Sequence, residues 1–423
     1  MKQNTIIIFC LLLISNRLPA QDKQVLTLEQ CYAFASGNSP LAQQKALTIT
    51  AGNMAEKNQG LKWLPSVDLN AQATYQSAVT YFPIKLPGIL VEELSKDQYK
   101  GTLEIIQPIY DGGNISGQKK LQQITTDIET QKVEVDLYQL RSRVNSYFFT
   151  ALLMDENVQL MNITKEDLKN NIKKISAQAE NGIATNSNVD VLKAELLKTS
   201  QKIIEFLAAK KGAVEMLEIL TGATIGENAS FVKPQNYAGV IETTIDRPEL
   251  KLFDFQKQQF QQQHKLINAK ANPRLSFFAN GGYGRPGLNM LKNEFQWFYF
   301  GGIKLSFPIM SQFTKHREQD VIRIQEQIVD KQKENFLSNN HQFLAQQKNE
   351  VEKYRQLVAT DAEIVALRTK IKENASFRLA NGIITSTDYV TELDAESQAM
   401  QNQKLHEIQR LQAQYNYKLI LGK

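Results

Sequence analysis

The chain has 423 residues, 42% of them hydrophobic and 22% charged, with a formal net charge of +5. That balance lies within the range of ordinary folded proteins and names no function. The charge is small for this length, and no Lys/Arg cluster alternates with aromatic residues as a nucleic-acid face requires, so nucleic acid is excluded as a partner.

Lys2 is followed by the apolar run "IIIFCLLLI" and then by "NRLPAQ", with the small residue Ala20 ahead of Gln21. The run is too short to span a bilayer and gives way to polar sequence, which predicts a secretory signal over residues 1–20, cleaved after Ala20. Cys10 lies within the run and lacks the small residues that precede a lipidated cysteine. Once the signal is removed, Cys31 is the only cysteine. An exported chain with one thiol has no internal disulfide, so its stability must come from packing or assembly.

The mature sequence reads as two copies of one plan, 21–240 and 241–423. Residues 181–185, "NGIAT", return as "NGIIT" at 381–385, and Pro108 of "QPIYDGG" is matched 200 residues later by Pro308 of "FPIMSQF". Pro65 and Pro273 are 208 apart, so the second copy is eight residues shorter between these prolines and the next pair. Such a change is tolerated in a surface loop.

Each copy predicts a helix, two strands joined by a loop, a long helix, a turn and a returning helix. The strands are expected at 66–75 and 99–108, then at 274–284 and 295–307. All four alternate with period two. Val67, Leu69, Ala71, Ala73 and Tyr75 oppose Asp68, Asn70, Gln72 and Thr74, while Tyr99, Leu103 and Ile105 oppose Lys100, Thr102 and Glu104. In the second copy Leu275, Phe277, Ala279 and Tyr283 oppose Ser276 and Asn280. Trp297, Tyr299, Ile303 and Leu305 likewise oppose Gln296, Lys304 and Ser306. The lengths match the roughly 9–11 residues of a membrane-spanning strand, and the aromatics suit an interfacial girdle. A soluble sandwich face has the same pattern. Export, and the lack of an apolar helix of about 18 residues, favour a barrel. Four strands cannot close one, so a barrel must be shared between chains.

The helical hairpins are expected at 113–221 and 312–421. Positions 137, 140, 144, 147, 151, 154, 158, 161, 168, 172, 175 and 179 are apolar at 3-4 spacing, broken only by Lys165. A seven-residue apolar repeat predicts coiled-coil packing. No Pro or Gly falls between Gln118 and Asn181, which at about 1.5 Å per residue gives a helix of roughly 95 Å. The glycine of each "NGIxT" stops its helix, and Thr185 or Ser187, like Thr385 or Ser386, caps the returning one.

No catalytic, cofactor or metal site stands out, and the chain does not read as an enzyme. "GYGRPG" at 282–287 contains Pro286 and opens no helix, so it is no dinucleotide loop; "GGNISGQKK" at 112–120 has Gln118 where a phosphate loop needs lysine. His264, His316, His341 and His406 are dispersed without ligand spacing and read as solvated helix residues.

The order, duplication and spacing of "LTLEQCYAFASGNSPLAQQ", "LKWLPSVDLNA", "LEIIQPIYDGG", "IKLSFPI" and the two "NGIxT" turns resemble the TolC family of outer-membrane efflux proteins, the outer membrane factors, over essentially the whole mature chain. The resemblance implies a mainly α chain with a membrane β-barrel portion. Three chains would each give four strands to one twelve-stranded barrel in outer-membrane lipid, and two coiled-coil hairpins to a periplasmic α-barrel. The homotrimer would serve as exit duct of a tripartite efflux pump for small molecules. The tips at Asn181, Gly182, Thr185, Asn381, Gly382 and Thr385 would dock a periplasmic adaptor and an inner-membrane transporter. Asp68, Asn70, Gln72, Lys100, Glu104 and Lys304 would face the lumen, with loops 76–98 and 284–294 outside the cell. Asp388 and Asp190 are the candidate gate residues, and an Asp388 ring would favour cations. The family's aspartate six residues beyond the glycine is present as Asp388; in the first copy Asn188 stands there and Asp190 follows two residues late. Either that turn is longer or Asn replaces the acid, and an aspartate here also suits a helix's first turn. A type I protein-secretion duct would look the same. A soluble periplasmic coiled-coil scaffold is the reading from another class.

Overall fold

A computed structural model describes residues 25–80, 94–226, 229–237 and 244–423. The signal expected at 1–20, with Cys10, lies outside the described residues, as does the greater part of loop 76–98. The elements are β1 (Val25–Leu26), α1 (Leu28–Asn38), α2 (Pro40–Gly60), a 3-10 turn at Leu61–Trp63, β2 (Ser66–Tyr75), β3 (Asp97–Tyr110), α3 (Asn114–Glu180) and α4 (Asn186–Thr221). They continue with β4 (Ser230–Phe231), α5 (Pro248–Lys270), β5 (Arg274–Arg285), β6 (Gln296–Ser306), α6 (Ile309–Ala380) and α7 (Ser386–Leu421). Two long helical hairpins and two strand pairs therefore recur in the same order.

The chain divides into two compact units, and each draws on both copies of the repeat. One comprises residues up to Gln43 with Glu134–Pro248 and Leu337–Lys423; the other comprises Gln44–Val133 and Glu249–Phe336.

In the first unit every position of the α3 stripe from Leu137 to Ala179 is buried or half-buried, Lys165 included. The stripe forms because apolar residues three and four apart share one side of a helix. Its central part joins the largest core: Val144, Ala151, Leu217 of α4 and Leu411 of α7, with Leu28 and Cys31 of α1 closing it. Burial pushes the Cys31 thiol up to about 11, so it is an inert packing group. Phe148, Phe149 and Leu152 lie beside the stripe and are equally buried, with Phe148 edge-on to Phe231 at 5.4 Å. α1 starts with a capping box, Thr27 and Gln30 bonding each other's backbone amides. It stops at Ser39 because Pro40 disfavours helical geometry in the residue before it. β1 and β4 pair in parallel, Val25 opposite Ser230.

The second unit holds a four-stranded antiparallel sheet in the order β2-β3-β5-β6. The ends of β2 and β3 at Tyr75 and Asp97 lie at the same end of this sheet as the loop 286–295, and all four strands join helices or the 3-10 turn at the other. Register is close to unbroken, with one irregularity at Pro108/Tyr110. Gly282 is required where it stands: a Cβ there would fall 2.5 Å from the Gly101 carbonyl oxygen and 2.8 Å from the Phe298 ring. Beside the sheet, α5 is tied to α6 by Lys257, 3.0 Å from both carboxylate oxygens of Asp330, and by the Phe253–Phe336 ring contact at 5.8 Å. It is tied to α3 by Gln262 Nε2, which donates to the Gly117 carbonyl at 3.0 Å.

Candidate functional site

Each "NGIxT" turn folds from its own sequence. Gly182 has φ +73° and Gly382 φ +69°, the left-handed region that glycine enters without penalty. The Ile183 amide then donates to the Gln178 carbonyl at 2.8 Å and the Gly182 amide to Ala179 at 3.0 Å. The second turn repeats both bonds, Ile383 to Arg378 at 2.9 Å and Gly382 to Leu379 at 3.0 Å. These are Schellman closures that satisfy the last helical carbonyls. Asn181 and Asn381 add side-chain bonds to the carbonyls of Ala177 and Phe377, at 2.7 and 2.8 Å. Ile183 and Ile383 are left exposed at the tips.

The returning helices differ at their starts. Thr385 caps α7 in a full capping box: Asp388 Oδ2 accepts from the Thr385 amide at 3.0 Å and from its hydroxyl at 2.7 Å, while the Asp388 amide donates back to Thr385 Oγ1 at 3.2 Å. The Thr385 hydroxyl bond holds the exposed Asp388 carboxyl below the usual carboxylate range. Thr185 occupies the same cap position but its side chain makes no capping bond. α4 and α7 begin 200 residues apart, at Asn186 and Ser386, so the first turn is no longer than the second and Asn188 stands in place of the acid. Its Oδ1 accepts from the Ser386 amide at 3.3 Å, bonding the other hairpin instead of its own cap. Asp190 lies exposed on α4.

Behind the tips a polar knot is set in an apolar cluster of Leu168, Ile175, Leu192, Leu379, Tyr389 and Leu393. Tyr389 is fully buried; its hydroxyl accepts from Asn171 Nδ2 at 2.8 Å and donates to Asp167 Oδ2 at 3.3 Å. Lys372 lies 3.2 Å from both Asp167 and Glu396. Burial works against the Lys372 charge, yet Asp167 and Glu396 outweigh it and raise its pKa. Burial, then the Asp167 charge, pushes the Tyr389 phenol far up, keeping it a proton donor. The knot joins α3, α6 and α7, and a buried network of this kind is stabilising when its members are satisfied.

The sheet separates its chemistry by face. Asp68 is opposite Glu104, Asn70 opposite Thr102, and Gln72 opposite Lys100. Glu104 is in turn opposite Asn280, and Ser276 opposite Lys304. The register thus brings Asp68, Asn70, Gln72, Lys100, Glu104 and Lys304 onto one face. Two carboxylates directly opposite one another repel, a pairing that persists only where water screens it. The other face carries Leu69, Tyr75, Leu103, Phe277, Trp297, Tyr299 and Ile303, with Trp297 82% and Tyr299 88% exposed. Its charges, Asp97 and Arg285, sit at the loop end and pair with each other. Tyr283 and Trp297 meet there at 5.0 Å.

Three aromatics escape the alternation. Phe278, Phe298 and Phe300 share the polar face; Phe298 pairs with Gly282 and Phe278 with Gly302. The Phe298 and Phe278 rings each cover the bare backbone of the opposing glycine, an arrangement visible only once register is known. A correction also concerns His406, expected to be solvated: it is only 22% exposed, and its Nδ1 lies 2.7 Å from Asp361 Oδ2. Among the described residues no group of acids, histidines and cysteines could hold a metal ion. None of the described helices is long and apolar enough to cross a membrane. "GYGRPG" lies mostly within β5, and "GGNISG" forms the bend into α3, where Asp111 accepts from the amides of Gly113 and Ile115.

The sequence profile of outer membrane efflux proteins matches residues 34–223. A search of curated proteins returns no match. Solved structures resemble the fold closely. The outer membrane protein VceC of Vibrio cholerae superposes with a TM-score of 0.66 at 13% identity, covering 93% of this chain and 96% of that one. The CmeC outer membrane channel of Campylobacter jejuni gives 0.67 at 14%, covering 93% and 85%. The open state of the MtrE outer membrane channel of Neisseria gonorrhoeae gives 0.67 at 14%, covering 93% and 88%. The chain therefore resembles outer membrane efflux proteins in sequence over residues 34–223 and shares the fold of these channels over nearly its whole length.

Proposed function

We propose that three copies of this chain close one twelve-stranded barrel in the outer membrane and act as the exit duct of a tripartite efflux pump for small molecules. The observation that carries this is the sheet. It has one wet, charged face and one bare apolar face, and the outer edges of β2 and β6 pair with no strand among the described residues. The smallest single-chain barrels have eight strands, and an open edge is not tolerated in hydrocarbon. Pairing β6 of one copy with β2 of the next removes every edge, turns Asp68, Asn70, Gln72, Lys100, Glu104 and Lys304 to the lumen and turns Trp297 and Tyr299 to lipid.

In this reading the signal at 1–20 directs export, and the tips around Asn181, Gly182, Thr185, Asn381, Gly382 and Thr385 dock a periplasmic adaptor and an inner-membrane transporter. Exposed Ile183 and Ile383 supply apolar contact area. Asp388 would ring the closed tip in triplicate, favouring cations, with Asp190 further along α4. Both Thr385 bonds fall on Asp388 Oδ2, so the capping role and a gate role are compatible.

The test is to fractionate the envelope and weigh the extracted particle by light scattering corrected for bound detergent. A duct requires detergent for extraction and has the mass of three chains. A monomer released by salt alone would mean a periplasmic scaffold. A protein-secretion duct would pass the same test, and is separated from a drug duct by whether a deletion strain loses drug resistance or an exported protein.

A further inference from the structure

The three phenyl rings on the polar face do not have the same explanation. Phe298 is buried over Gly282, with Lys100 Nζ 4.9 Å from its ring centre. Phe278 lies across Gly302, whose added Cβ would meet its ring at 3.3 Å. Phe300 is opposite Asn280, covers no glycine, and remains 43% exposed with its ring edge-on to Phe278 at 6.3 Å. An exposed apolar ring on a solvated face is a cost that sheet packing does not offset here.

Phe278 and Phe300 line one depression at the helix-side end of the sheet, together with Lys62, Arg274, Lys304 and Glu104. Asp111 lines it too, but its carboxylate accepts the amides of Gly113 and Ile115 at the start of α3. Among the described residues, none of Lys62, Arg274 and Lys304 is in an ion pair. Three unpaired cations converge on an aromatic wall against one available carboxylate, so the depression offers an anionic headgroup a charge partner and a flat apolar body a surface.

We propose that this depression is a binding site for amphipathic organic anions, aryl sulfonates or carboxylates, within the duct wall. The proposal rests on the reading that this face lines the duct, and it gives the duct a preference among its cargoes. Glu104 lies on the loop side of Phe278 in the sheet register, so the bound headgroup points toward Arg274 and Lys304 and the ring toward Phe300.

The test uses the detergent-purified protein reconstituted in nanodiscs, with empty nanodiscs subtracted. 2-Naphthalenesulfonate and 2-naphthyltrimethylammonium, one ring with opposite charges, are titrated by calorimetry. The sulfonate is expected to bind at least about tenfold more tightly. Arg274→Gln and Lys304→Gln should each weaken it by about tenfold, and Phe300→Ser should weaken it as well. Particle mass checks assembly of each variant, and Lys62→Gln, outside the sheet, serves if a strand substitution blocks it. Equal binding of the two probes, or sulfonate binding that survives the cation substitutions, overturns the site. So does the absence of sulfonate binding, the result expected if a neighbouring copy fills the depression. Single-channel conductance on the same preparation judges the duct separately. A conducting protein without discrimination loses only the site, and a discriminating protein that does not conduct loses only the duct.

Discussion

Asn188 Oδ1, at the start of α4, accepts a hydrogen bond from the backbone amide of Ser386, the first residue of α7, at 3.3 Å. The first amides of a helix have no partner within it, so an acceptor supplied by the other hairpin satisfies one and joins the two tips. Asn188→Ala removes the acceptor, and the expected cost is about 1 kcal/mol. Amide exchange in a peptide spanning 383–389 should then quicken by about fivefold. Asn188→Asp keeps the acceptor and adds negative charge at a helix N-terminus, so exchange there should slow. Unchanged exchange in Asn188→Ala would show that the bond does not hold the tips together.

Tyr389 separates the polar knot from its apolar setting. Tyr389→Phe keeps the buried ring but deprives Asn171 of an acceptor and Asp167 of a donor; the expected cost is about 1–3 kcal/mol. Tyr389→Ala adds a cavity, for about 3–5 kcal/mol by analogy with other large aromatics. The thermal midpoint of the purified particle should therefore fall in the order wild type, Tyr389→Phe, Tyr389→Ala. Equal midpoints for wild type and Tyr389→Phe would leave packing alone as the tyrosine's contribution.

The two tips should respond differently to acid. The Asp388 carboxyl is held below its ordinary value of 3.8, chiefly by the Thr385 hydroxyl. A depressed pKa means that the ionised form is favoured by folding. This contribution is complete above about pH 4 and is lost as pH falls through the depressed value. The first tip has the non-titrating Asn188 at the matching position. Protection of the first turn of α7, corrected for intrinsic exchange, should hold from about pH 6 to about pH 4 and drop as the pH falls further, while that of α4 holds throughout. Asp388→Asn should flatten the difference.

Much of this was legible in the sequence because it is periodic. The α3 stripe, the alternating strand faces and the paired "NGIxT" turns each repeat a local rule. What escaped depends on partners distant in sequence. Two-residue β1 and β4 carry no period and meet across some 200 residues. Phe148 and Phe149 lie off the stripe, buried because α1 and α7 cover that side as well. His406 meets Asp361 across helices, although the matching positions of the first copy, Met161 and Phe206, belong to an apolar cluster. The break between α1 and α2 did have a signal, Ser39 before Pro40.

Gly282 and Gly382 are both required, for different reasons, and alanine separates them. At Gly382 nothing lies within 4 Å of an added Cβ, so the cost of Gly382→Ala is that of a left-handed residue, about 1–2 kcal/mol. It should leave assembly intact and loosen one tip. At Gly282 the backbone is extended, but the Cβ would strike the Gly101 carbonyl and the Phe298 ring at 2.5 and 2.8 Å. A ring can turn aside; a carbonyl in a ladder cannot without parting β3 from β5. Gly282→Ala should therefore reduce the yield of assembled particle, and adding Phe298→Ala should recover little, because the carbonyl clash remains. Recovery to wild-type yield in the double variant would identify the ring, not the strand spacing, as the constraint.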